Sequence, residues 1–197
     1  MRLILASTSP FRQAMLRQAG LDFVAVAPSF EEFMLPDAQP DTLALLLAEG
    51  KADSIADRFP NDIILAADQV GECEGVLLGK PADAQAAYVQ LERQAGRTHR
   101  LISGVVLIGP EPGEGGGRPT LRLVEETRLT FRSLTAQELH AYVATGEWQG
   151  CAGAYRLEGQ GVQLIERIEG DFFNIIGLPM LSVLEGLRRL GFNPLLR

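Results

Sequence analysis

Ile63-Ile64-Leu65-Ala66-Ala67-Asp68 is a run of apolar residues closed by a carboxylate. An unbroken aliphatic run of this length is the pattern of a central strand buried on both faces. Such a strand needs helices above and below it, so the run argues for an α/β fold. A carboxylate directly after it is expected at the carboxyl edge of the sheet, where open α/β folds place ligands. The same residue could instead cap the following turn.

Upstream, residues 3–6 read as a short buried strand. Ser9-Pro10 then opens a helix, with Ser as N-cap, Pro at the first helical position and Gly20 as its stop. Residues 23–27 form a second strand, and a loop over residues 28–40 carries Glu31 and Glu32 into a helix over about residues 42–58. Downstream, Glu74-Gly75 marks a turn between short strands, the second ended by Gly79-Lys80-Pro81, and Asp83 caps a helix running to about residue 95. Residues 101–108 and 121–131 are strands, joined by a Gly- and Pro-rich stretch with the composition of a flexible surface connection. Thr135 and Glu138 have capping-box spacing. Residues 162–168 read as a last strand, and Pro179 opens a last helix that Gly191 stops. Strands and helices interleave with no repeat and no linker, so residues 1–197 are expected to form a single domain.

With 46% hydrophobic residues the chain can bury a core, which excludes disorder as its main state. Lys plus Arg number 18 and Asp plus Glu 25, a net charge of −7, so no global attraction draws it to a nucleic-acid polymer or an anionic membrane. A phosphate compound would have to be held by a local cluster of cations or by a metal. The two cysteines, Cys73 and Cys151, form no Cys-x-x-Cys pair, and with two histidines any metal would be a hard ion on carboxylates. No apolar run approaches the ~20 residues that span a bilayer, and a reduced, cytoplasmic setting is expected.

Ser7-Thr8-Ser9-Pro10-Phe11-Arg12 lies at a strand-to-helix junction, where unpaired N–H groups, hydroxyls and a guanidinium can hold a phosphate. A plain N-cap would use the same serine. Lys51 and Lys80 are candidate counter-charges, Lys80 being framed by Gly79 and Pro81, although a lone lysine is ordinarily solvated. Glu31 and Glu32 could complete a carboxylate site for Mg²⁺ or Mn²⁺, although paired acids on a loop are ordinarily only solvated. None of these signals is specific alone.

In order, however, residues 5–12 (Leu-Ala-Ser-Thr-Ser-Pro-Phe-Arg), Glu32, residues 48–52 (Ala-Glu-Gly-Lys-Ala), Ala67-Asp68-Gln69-Val70, Gly79-Lys80-Pro81, residues 151–155 (Cys-Ala-Gly-Ala-Tyr) and Ile176-Gly177-Leu178-Pro179 resemble the Maf family along nearly the whole chain. The resemblance implies a mixed α/β sheet flanked by helices, with a cleft between two lobes, related to the inosine triphosphate pyrophosphatases. It also implies hydrolysis of a nucleoside triphosphate between its α and β phosphates with a divalent metal, and a homodimer. By the same resemblance Ser7, Ser9 and Arg12 would hold the triphosphate and Lys51 and Lys80 would neutralise it. Glu32 and Asp68 would bind metal, with Asp68 as proton acceptor.

Three positions depart from the commonest pattern of the family: Phe11 where Arg is usual, Gln69 where Thr is usual, and Glu158 where Gln is usual. An aromatic residue, Gln and Glu in these places resemble the subfamily acting on 7-methyl-GTP, where the aromatic is usually Trp. The set makes chemical sense, because N7-methylguanine is cationic, stacks on an aromatic face with a cation–π component, and presents N–H donors to a carboxylate. A pyrophosphatase for UTP, CTP or dTTP, or a non-catalytic nucleotide-binding regulator of cell division, remain the alternatives at this point.

Overall fold

The computed structural model describes residues 1–31, 38–112 and 116–196. Its elements run β1 (Leu3–Ala6), α1 (Pro10–Gln18), β2 (Val24–Val26), α2 (Pro40–Ala56), β3 (Ile63–Cys73), β4 (Val76–Leu78), α3 (Ala84–Gln94), β5 (Thr98–Ile108), β6 (Thr120–Phe131), α4 (Ala136–Ala144), β7 (Ile165–Glu169), α5 (Phe172–Ile176) and α6 (Met180–Arg189). The seven strands make one mixed sheet in the order β2-β1-β3-β5-β6-β7, with β4 paired to β3. β1 is parallel to both of its neighbours, and every other pairing is antiparallel.

The aliphatic run at residues 63–67 is the centre of the sheet, and its side chains alternate between two cores. Ile64 and Ala66 pack under Ala48, Ala52 and Ile55 of α2, while Ile63, Leu65 and Ala67 face Leu16 of α1 and Val183 and Leu187 of α6. A third core, built on Leu91, Phe131, Leu139 and Trp148, holds α3, α4 and the far halves of β5 and β6 as a second lobe. The expected α/β sheet with helices on it and a cleft between two lobes is what the chain forms.

Local signals account for most helix starts. Ser9 caps α1, Asp83 accepts from Ala86 N at 2.8 Å to cap α3, and Thr135 with Glu138 closes a full capping box on α4. Three expectations need correction. β3 does not stop before Asp68 but runs on to Cys73, because the 11-residue β5 pairs with it from Ile64 opposite Ile108 to Glu72 opposite Arg100. Residues 160–164 form a 3₁₀ turn, and β7 begins only at Ile165. There the chain doubles back so tightly that a Cβ on Gly161 would lie 2.4 Å from the Arg156 carbonyl oxygen. The stretch between β5 and β6 is tied down at its carboxyl side by Arg118, which donates to the carbonyls of Gly109, Ala56, Phe59 and Asp62. Among the described residues no helix is long and apolar enough to cross a membrane.

Candidate functional site

A cleft of about 730 Å³ opens between the lobes, at the end of the sheet where β1 stops and α1 begins. Its floor is set by the central strand. β1 pairs with β3 only as far as Leu5 opposite Leu65, so Asp68 lies beyond the last parallel pair, on a strand whose neighbour on that side has ended. This corrects the expectation of a strand-end carboxylate: Asp68 is within β3 and cannot cap a turn, yet it still faces the crevice outside the carboxyl end of β1.

Asp68 shares a face with Ile64 and Ala66, and Lys51 comes down on it from α2. Leu43, Leu47, Lys51 and Ile55 recur every fourth residue and are all buried, so the lysine stem lies in the apolar stripe of the helix and its ammonium reaches the carboxylate. Lys51 Nζ donates to Asp68 Oδ1, and the two residues are only 6% and 9% exposed. A glycine makes this approach possible. Gly104 sits opposite Asp68 on β5, and a Cβ there would lie 2.4 Å from the carbonyl carbon and oxygen of Ala44. The helix backbone therefore rests directly on the sheet. Breaking a buried pair of this type costs about 3–5 kcal/mol, because the remaining charge loses its buried counter-charge.

Gln69, the next residue, points to the opposite face. Its Nε2 donates to the Asn174 carbonyl and lies 3.5 Å from Ser103 Oγ, which leaves its carbonyl oxygen as the acceptor available to a ligand. Asn174 is fully buried and its own amide donates to Leu101 O, Glu125 O and Thr127 Oγ1, so α5 is locked to β5 and β6 before it meets Gln69. The same segment steadies Arg12, whose Nε donates to Gly177 O at 2.9 Å.

At the head of α1, the Ser9 hydroxyl accepts from Arg12 N at 3.5 Å, and Ser7 Oγ accepts from Ser9 N at 3.1 Å. Ser9 is thus an N-cap in its own right, and each hydroxyl keeps its proton to donate. Lys80, exposed just after β4, lines the opposite wall; Gly79 beside it accepts from Gln90 Nε2 at 2.9 Å. Phe11 does not join the core beneath α1, as Met15 and Leu16 do. It is half-buried and lines the cleft, where Arg156 from the segment after α4 meets it and Glu158 from the same segment lines the wall.

That segment is itself held by buried polar contacts. Gln94 Nε2 donates to Gly153 O at 2.7 Å, Tyr142 Oη accepts from Arg156 N at 3.0 Å, and Tyr155 Oη lies 2.9 Å from His99 Nε2. Burial pushes the His99 imidazole down to about pKa 4 and the Tyr142 phenol up to about 12, so both are neutral at ordinary pH.

Ser7, Ser9, Phe11, Arg12, Lys51, Asp68, Gln69, Lys80 and Glu158 thus all line one cleft. Glu32 lies outside the described residues. Sequence reasoning missed Gly104, Asn174 and Arg156. The last could have been noticed within the departing stretch Tyr155-Arg156-Leu157-Glu158, whereas the other two act through partners distant in the chain.

A family model described as Maf-like protein matches residues 2–190. The 7-methyl-GTP pyrophosphatase of Rhizobium johnstonii is 39% identical, covering 96% of this chain and 96% of that protein. The dTTP/UTP pyrophosphatase of Deinococcus radiodurans is 41% identical, covering 98% and 94%. Among solved structures, the Ham1 protein of Staphylococcus aureus aligns with 66% of this chain and 72% of its own at a TM-score of 0.42 and 12% identity. Matched by that model and by relatives along nearly their whole length, the chain belongs to the Maf-like protein family.

Proposed function

We propose that the chain is a nucleoside triphosphate pyrophosphatase that hydrolyses 7-methyl-GTP, or a similarly modified purine triphosphate, to the monophosphate and pyrophosphate. The convergence of two hydroxyls, three cations, a buried carboxylate and an aromatic–carboxylate pair on one cleft carries this reading. Relatives named as pyrophosphatases of nucleoside triphosphates support the reaction class.

In this reading the Ser7 and Ser9 hydroxyls donate to the triphosphate at the head of α1, where the helix N–H groups already favour an anion. Arg12, Lys51 and Lys80 offset the charge that would otherwise repel an incoming water. Lys51 engages one oxygen of Asp68 and so fixes the carboxylate, and Asp68 takes the proton of the attacking water. The water oxygen bonds to the α phosphorus as the bond to the bridging oxygen breaks, and pyrophosphate leaves.

The donor chemistry fits a hard cation: Asp68 supplies a carboxylate oxygen, and a triphosphate with water can complete the shell. Among the described residues no group of three or more His, Cys, Asp or Glu gathers, and Glu32, the second expected ligand, falls outside them. When bound, Mg²⁺ or Mn²⁺ would add positive charge against the phosphoryl oxygens.

For the base, the Phe11 ring and the Glu158 carboxylate line the same cleft, and both already meet one cation. The guanidinium carbon of Arg156 is 5.0 Å from the centre of the Phe11 ring, and Arg156 Nε is 3.7 Å from Glu158 Oε1. A methylated purine is planar, cationic and rich in N–H donors, which suits both partners. Uracil would turn a carbonyl oxygen to Glu158.

Incubated with 7-methyl-GTP and Mg²⁺ or Mn²⁺, the protein should release 7-methyl-GMP and pyrophosphate in equal amounts, resolved by anion-exchange chromatography. Orthophosphate instead of pyrophosphate would refute cleavage between the α and β phosphates. Binding without either product, across 7-methyl-GTP, GTP, UTP, CTP and dTTP, would leave a nucleotide-binding regulator.

A further inference from the structure

Arg156 is a cation of the cleft that the handling of phosphates does not use. Its guanidinium rests on the face of Phe11 and beside Glu158, two of the groups assigned to the base. The backbone that carries it is fixed, with Arg156 N bonded to Tyr142 Oη at 3.0 Å and buried Tyr155 and Leu157 on either side. The side chain is held far less firmly. At 3.7 Å its contact with Glu158 is too long for a hydrogen bond. Nε is buried without a hydrogen-bond partner among the described residues, and a further hydrogen bond of the guanidinium goes to the Cys151 sulfur, a weak acceptor.

We propose that Arg156 is a specificity-determining residue that stands in for the base: its guanidinium occupies the Phe11–Glu158 receptor in the absence of nucleotide, and a planar cationic base displaces it. The inference rests on the reading of the cleft as a site for a cationic purine triphosphate, and deepens it. A guanidinium and N7-methylguanine are both flat cations with delocalised charge and in-plane N–H donors, so one can replace the other on a ring face beside a carboxylate. A neutral base that evicts Arg156 leaves Glu158 without a counter-charge. Truncating Arg156 removes a competitor for every base and, for a cationic base alone, also removes a like charge beside it.

The test is the Michaelis constant for 7-methyl-GTP and for GTP in wild type, Arg156→Ala, Arg156→Met and Arg156→Lys, with calorimetric titration of 7-methyl-GMP into each. Arg156→Met keeps the apolar stem should Arg156→Ala fold poorly. In both uncharged variants the KM for 7-methyl-GTP should fall about tenfold and that for GTP about two- to threefold, with 7-methyl-GMP binding about tenfold tighter. Arg156→Lys should stay nearer wild type. A KM for 7-methyl-GTP that is unchanged or raised in the uncharged variants would overturn the proposal, since Arg156 would then be idle or in contact with the substrate. The two readings fail separately. A wild type that does not turn over 7-methyl-GTP defeats the proposed activity, while displacement is still read from 7-methyl-GMP affinity, which needs no turnover.

Discussion

The two ends of the cleft are built by different means. At the phosphate end, Lys51 and Asp68 are buried on a helix and on the central strand, and the approach between them depends on a glycine of a third element, Gly104. At the base end, Phe11 and Arg156 are half-buried and Glu158 is exposed, and the last two lie in a segment that pairs with no strand. Lys51 and Asp68 therefore carry much of the packing, while Phe11, Arg156 and Glu158 carry little. Changes at the first end should disturb turnover and stability together, and changes at the second should redirect the substrate while leaving the fold intact.

The sharpest break is Asp68→Asn. It removes the proposed proton acceptor while keeping the shape, so kcat should fall by about 10²- to 10⁴-fold with nucleotide binding still measurable by calorimetry. A normal kcat would sink the assignment.

Next in size is a pH effect beneath the base end. The His99 imidazole stays neutral in the fold down to about pH 4 because burial disfavours its charge, whereas the unfolded chain protonates it near 6.5. Below pH 6.5 the unfolded state takes up a proton that the folded state refuses. Stability is therefore lost as pH falls from 6.5 to 4, by about 3 kcal/mol from this group, with no further loss from it below that. Urea unfolding at stepped pH should show a shallower acid-side decline in His99→Gln than in wild type. Parallel declines would mean that His99 is not the group involved.

Gly104→Ala is a subtler test of the phosphate end. The added methyl would overlap the Ala44 backbone and lift α2 from the sheet, at a cost of about 1–3 kcal/mol, and it should lower kcat by parting Lys51 from Asp68. Thermal melting and turnover should move together, and a melting change with full turnover would separate packing from chemistry. The smallest expected effect lies at the base end. Glu158→Gln should reduce kcat/KM for 7-methyl-GTP by about tenfold while shifting stability by less than about 0.5 kcal/mol.

The contrast between the ends also governs what the sequence discloses. The run at residues 63–67, the Ser9-Pro10 helix start and the capping box at Thr135 and Glu138 are local patterns, and each appears in the fold as read. The second half of β3, Gln69 to Cys73, has no period of its own and is a strand because β5 pairs with it. Gly104 looks like any strand glycine until α2 is laid upon it, and Asn174 serves Gln69 through a backbone carbonyl far along the chain. Arg156 stood in plain view in a departing motif, but nothing in its sequence neighbourhood says that its guanidinium rests on Phe11.

The central claim, that this cleft selects a cationic base for cleavage of its triphosphate, is tested most directly by kcat/KM for 7-methyl-GTP and UTP under one metal and one pH. 7-Methyl-GTP should be favoured by about 100-fold or more, since in the proposed pose Glu158 would meet donors on the purine and a carbonyl oxygen on uracil. Equal values, or a preference for UTP, would contradict it.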